Sequence, residues 1–117
     1  MSEKEDILTK TYDLLLYLIP QLSKFPRDQK FLLADRIETL LLDYLEAMVQ
    51  AYYSKDKIFL LEQGNLKLER LRYLVRLGHD LKLINHDRYG FISEKIDELG
   101  RMTGGWRKAI LKKNENG

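Results

Sequence analysis

Arg72, Arg76 and His79 are spaced by four and three residues, and Arg101, Lys108 and Lys112 by seven and four, so each set lines up along one side of a helix. Rows of cations at that spacing neutralise phosphates through long side chains that need no fixed geometry, which is the chemistry of gripping a nucleic-acid backbone. Arg107 and Lys113 add charge beside the second row, and from Arg101 to Lys113 there are five basic residues and no acidic one. The alternative is a merely solvated face. Charge is also uneven along the chain: residues 1–65 carry a net −3 and residues 66–117 a net +5, so the second half is the surface for an anionic partner. No helix-turn-helix or zinc-finger pattern is present, which argues against sequence-specific readout.

Other chemistry finds little support. The pairs His79-Asp80 and His86-Asp87 specify no third ligand, the chain has no cysteine, and no metal site is expected. Glycine-rich phosphate loops, serine-nucleophile motifs and metalloprotease motifs are lacking, so neither a catalytic residue nor a cofactor is assigned. Trp106 is in register with Ile92, Ile96, Leu99, Thr103 and Ile110, which makes it a core or interface residue and not a platform for stacking bases.

These residues must be positioned by helices. With 117 residues, two prolines and no alternating apolar pattern, the chain reads as a single all-α domain. Ser2 and Glu5 have the form of a capping box, opening a first helix whose apolar positions are Ile7, Leu8, Leu14, Leu15, Leu18, Ile19 and Leu22, with Pro20 bending its last turn. A second helix is predicted over 28–53 on the face Ile37, Leu40, Leu41, Tyr44, Leu45, Met48 and Tyr52. A third, capped by Asp56, spans 57–84, with Gly64 and Gly78 on one face to admit a close neighbour. A fourth spans 88–112, weakened at Gly104-Gly105. Short connections favour an antiparallel up-down-up-down four-helix bundle over residues 1–113, with 114–117 as a disordered tail. No leader-like or membrane-spanning stretch is seen, and the expected location is the cytoplasm.

The third helix carries more apolar surface than one bundle needs. Leu60, Leu68, Leu71, Val75 and Leu81 form one stripe, while Phe59, Leu66, Tyr73, Leu77 and Ile84 form a second about 120° away at about 100° per residue. Phe31, Leu42 and Val49 repeat the pattern more weakly on the second helix. The second stripe could widen the monomer's own core, but self-association accounts better for so much apolar surface, so Phe59, Leu66, Tyr73, Leu77 and Ile84 are the expected subunit contact of a homo-oligomer.

Four segments together resemble the Avd (accessory variability determinant) family of diversity-generating retroelements. They are Tyr12-Asp13-Leu14-Leu15-Leu16, Lys24-Phe25-Pro26-Arg27, Leu71-Arg72-Tyr73-Leu74-Val75-Arg76 and Leu99-Gly100-Arg101-Met102-Thr103-Gly104-Gly105-Trp106. The wider relatives are four-helix proteins encoded in intervening sequences of bacterial large-subunit ribosomal RNA genes. The resemblance implies a non-enzymatic accessory subunit, a homopentamer with a basic surface, that binds a reverse transcriptase and RNA or DNA during error-prone cDNA synthesis. By position, Arg72, Arg76 and Arg101 match the family's basic helical residues. An intervening-sequence relative acting as a protein interaction module is the alternative. Arg72, six residues and then His79 also has the general form of the motif of HEPN ribonucleases, although Tyr73 stands where that family usually has a polar residue.

Overall fold

The computed structural model describes residues 3–116, and side chains from 6 to 115. The Ser2–Glu5 capping box lies outside what is described. Four helices make up the described chain. Helix α1 is Glu3–Leu22. Helix α2 joins a turn, Arg27–Gln29, a π-helical segment, Lys30–Ala34, and the α-helix Asp35–Tyr53 into one rod. Helix α3 is Lys57–Asp80 and α4 is His86–Asn116. Each packs against two others, α1 and α3 both lying between α2 and α4, which gives an elongated bundle of 52 × 23 × 22 Å.

Apolar residues at three-and-four spacing close the core. Ile7, Leu14, Leu15, Leu18 and Leu22 come from α1, Ile37, Leu41, Tyr44 and Met48 from α2, Leu61, Leu68, Leu71 and Val75 from α3, and Ile92, Ile96, Leu99 and Trp106 from α4. Trp106 therefore occupies the expected core register. Gly64 admits α2 closely: a Cβ there would collide with the end of Met48 and lie 3.4 Å from the Tyr44 ring. Ile19 and Leu81, both expected in the core, are exposed.

Helices α1 and α3 end and begin at the α1–α2 and α2–α3 joints where the sequence placed them, but the bonds that hold the joints differ from expectation. Helix α1 runs through Pro20, and its open carbonyls are met by Ser23, whose N–H donates to Ile19 O at 3.1 Å and whose hydroxyl donates to Pro20 O at 2.7 Å. The π segment was not foreseen; its wider turn buries Leu33 and Ala34 and leaves Phe31 and Leu32 in solvent. Asp56 sits at the N-cap position of α3, but its side chain makes no capping bond. The α2–α3 joint is held instead by Lys57, whose ammonium donates to the carbonyls of Ala51 (2.7 Å), Tyr52 (3.1 Å) and Ser54 (2.7 Å) at the C-terminus of α2.

Helix α3 stops at Asp80, four residues before the predicted end. Lys82 turns left-handed at φ 64°, the Lys82 N–H donates to His79 O at 2.9 Å, and the Leu83 N–H donates to Gly78 O at 2.8 Å, a Schellman closure with lysine in the position glycine usually takes. The reversal folds Ile84 back over Gly78. Asn85 then caps α4, its Oδ1 accepting from the Arg88 N–H at 2.9 Å, so that helix starts at His86. It continues through Gly104-Gly105 without interruption and on to Asn116, through most of the stretch expected as a disordered tail. Among the described residues no helix is long and apolar enough to cross a membrane.

Candidate nucleic-acid and subunit interfaces

The basic residues fall into two groups with different surroundings. On α3, Arg72 lies in the groove to α4, with Nη1 2.5 Å from Asp97 Oδ1 and Nε 3.2 Å from Glu69 Oε1. Gly100 makes room for it, since a Cβ there would come within 2.9 Å of the guanidinium. Two carboxylates thus already hold this cation as a strut between helices. Such a half-exposed pair contributes about 0–1 kcal/mol, so a phosphate could displace it, at the cost of leaving the two carboxylates unbalanced. Arg76 is exposed, with Asp80 at a loose 3.8 Å. The His79 ring stacks on Tyr89, centroids 4.3 Å apart and planes 18° off parallel, with Asp80 3.5 Å from Nδ1. Arg72 and His79, the pair the ribonuclease reading needs, are each engaged with separate neighbours.

The second group lies on the C-terminal half of α4. Arg101, Lys108 and Lys112 are exposed on one side of the helix. Among the described residues no carboxylate lies within ion-pair distance of these three. Arg107 points back to α3, 3.6 Å from Glu62. Glu98, one turn before Arg101, is tied to Lys10 of α1 at 2.9 Å. That hydrogen-bonded pairing pulls the Glu98 carboxyl below its ordinary range and raises the Lys10 ammonium, and the nearby Lys95 and Arg101 also favour the carboxylate. The accessible positive charge is therefore displaced toward Arg101, Lys108 and Lys112, away from the α3 row.

The apolar stripe of α3 stays uncovered: Phe59, Leu66, Tyr73 and Leu77 are all exposed, Tyr73 to 68 %. Ile84 does not belong with them. It is 6 % exposed, because α3 ends before it and the left-handed turn at Lys82 brings it onto Gly78. Phe31, Leu42 and Val49 of α2 also remain exposed. A further exposed set on α1 joins Ile19, expected in the core, to Tyr12 and Leu16, which the sequence reading had not placed on any face. Its four-and-three spacing was visible but merged with the core stripe beside it.

Residues 7–110 match the family model described as bAvd-like, nearly the whole bundle. The chain belongs to the bAvd-like family. No curated protein matches it. In this bAvd-like chain the segments that carried the resemblance have definite places: Phe25 is buried at the α1–α2 turn, Leu71 and Val75 are core, Arg72 and Gly100 form one interhelical contact, and Trp106 closes the α4 side of the core. Much of the sequence signature thus reflects helix packing, while Arg101 is exposed and outside the ion pairs formed among the described residues.

Proposed function

We propose that this bAvd-like protein is a non-enzymatic accessory subunit of a diversity-generating retroelement. It assembles through the outward stripe of α3, binds RNA or DNA without sequence preference along α4, and docks the reverse transcriptase that copies the template. The family match over residues 7–110 carries this reading. The exposed cations Arg101, Lys108 and Lys112, with no carboxylate partner among the described residues, support the nucleic-acid part, and assembly would gather several such rows into one larger basic surface. The homopentamer and the cytoplasmic location come with the family reading.

Salt-titrated binding to single-stranded RNA and DNA tests it. The triple variant Arg101→Glu, Lys108→Glu, Lys112→Glu should lose at least about tenfold in affinity and flatten the salt dependence by up to about three phosphate contacts. Unchanged binding would remove the nucleic-acid part. A second reading, a protein interaction module, draws on the ion pairs that engage Arg72 and Arg107. Co-purification with a reverse transcriptase in the absence of any nucleic-acid affinity would favour it.

A further inference from the structure

One cleft lies next to the basic row of α4, sharing with it only the flanking Lys113 and none of Arg101, Lys108 and Lys112. It is a hollow of about 670 Å³ at the end of the bundle where α4 passes the α2–α3 turn, lined by Lys55, Lys57 and Ile58 on one side and Trp106, Ile110 and Lys113 on the other. Ala109, also on its wall, is exposed. The floor is hydrocarbon and the rim is cationic. Lys55 and Lys113 are exposed, whereas the Lys57 ammonium is committed to the three carbonyls that end α2, and Asp56 is the one acidic residue in the lining.

From this arrangement we infer that the cleft docks an acidic amphipathic helix of a partner polypeptide, its apolar residues on Ile58, Ala109 and Ile110 and its carboxylates against Lys55 and Lys113. Charge complementarity selects an anionic occupant. The floor then distinguishes polypeptide from nucleic acid. Burying side-chain hydrocarbon is favourable in proportion to the area removed from water, which a helix laid in a groove can collect and a phosphate cannot. Stacking of bases needs an open aromatic face, and Trp106 is only 4 % exposed. The inference rests on the cleft's own lining, and it holds or fails independently of nucleic-acid binding on Arg101, Lys108 and Lys112.

Trp106 is the single tryptophan of the chain, so its fluorescence reports on the cleft directly. The full chain is titrated with a synthetic Glu/Leu amphipathic helix lacking tryptophan, with its Gln/Leu counterpart, and with oligouridylate. The Glu/Leu helix should shift Trp106 emission saturably, and the Gln/Leu helix should bind about tenfold or more weakly, a difference of about 1.4 kcal/mol. Lys55→Glu with Lys113→Glu, and separately Ala109→Glu, should each weaken the Glu/Leu helix by a similar factor, with circular dichroism melting showing that the fold survives. These substitutions are at exposed positions. No saturable shift, as when a second copy already covers the cleft, would overturn the inference, as would equal binding of both helices. Displacement of the bound helix by oligouridylate would overturn it in favour of nucleic acid.

Discussion

The Tyr44 hydroxyl spans the bundle centre to Thr103 Oγ1 at 2.6 Å, while Thr103 donates to Leu99 O at 2.7 Å, so Tyr44 is the donor of the pair and both buried hydroxyls are used. Burial pushes the Tyr44 phenol up from 10.0 to about 12, against the smaller opposing effect of Thr103. A raised phenol means that the folded state keeps its proton while the unfolded chain loses it. The stabilisation is thus complete below pH 10 and is lost as pH rises toward 12, by about 2–3 kcal/mol in all. Tyr44→Phe gives up one hydrogen bond, costing about 1 kcal/mol at neutral pH, but lacks the titration. Urea denaturation at stepped pH should therefore show the variant less stable at pH 7 and overtaking the parent above pH 10; a constant gap would contradict it. Lys82 supplies a second residue-level expectation. At φ 64° its Cβ is strained and nothing in the turn requires the side chain, so Lys82→Gly should raise the free energy of unfolding by about 1 kcal/mol. Denaturant midpoints would show it.

At the scale of the element, α4 separates its charges lengthwise. Asp87, Glu94, Asp97 and Glu98 precede Arg101, after which no acid appears until Glu115. The acidic half meets cations of the neighbouring helices, Lys10 of α1 and Arg72 of α3, leaving Arg101, Lys108 and Lys112 of the basic half to present their charge outward while Arg107 turns back to Glu62. Asp97 thereby acts on both stability and binding. Asp97→Asn should cost less than about 1 kcal/mol, because the pair is about half exposed, and a double-mutant cycle with Arg72→Ala should give a coupling of about 0.2–1 kcal/mol. Adding Glu69→Gln to Asp97→Asn releases Arg72 from both carboxylates, so on the proposed function the double variant's affinity for RNA should rise and the increase should vanish when Arg72→Ala is added. An affinity unaffected by that double substitution would mark Arg72 as a packing residue alone.

For the whole molecule, an apolar stripe directed away from the core sets the expected assembly. Phe59, Leu66, Tyr73 and Leu77 follow one line on α3, while Tyr12, Leu16 and Ile19 of α1 and Leu42 and Val49 of α2 are exposed elsewhere on the bundle. Dissimilar apolar sets on three helices suit a heterologous contact better than a self-matching one. Leu66→Glu with Tyr73→Glu should give a monomer by light scattering with helical content retained, since neither side chain belongs to the core. Retention of the oligomer would move the contact off α3.

Helical periodicity alone determined four helices, the main core face of α2, the register of Trp106 and the surplus stripe of α3, because burial along a helix repeats every three or four residues wherever the chain stays helical. It failed where the chain leaves that repeat or where partners are distant in sequence. A seven-residue step from Leu77 to Ile84 counts as one stripe only if the helix continues, and the Lys82 turn ends it. Arg72 and Arg107 looked like members of basic rows until tertiary packing set Asp97 and Glu62 beside them, 25 and 45 positions away. Tyr44 and Thr103, 59 residues apart, carried no mutual signal. Local spacing therefore decided which side of each helix is apolar or charged, and only the packed bundle decided which charges are cancelled, because that depends on which helix lies alongside.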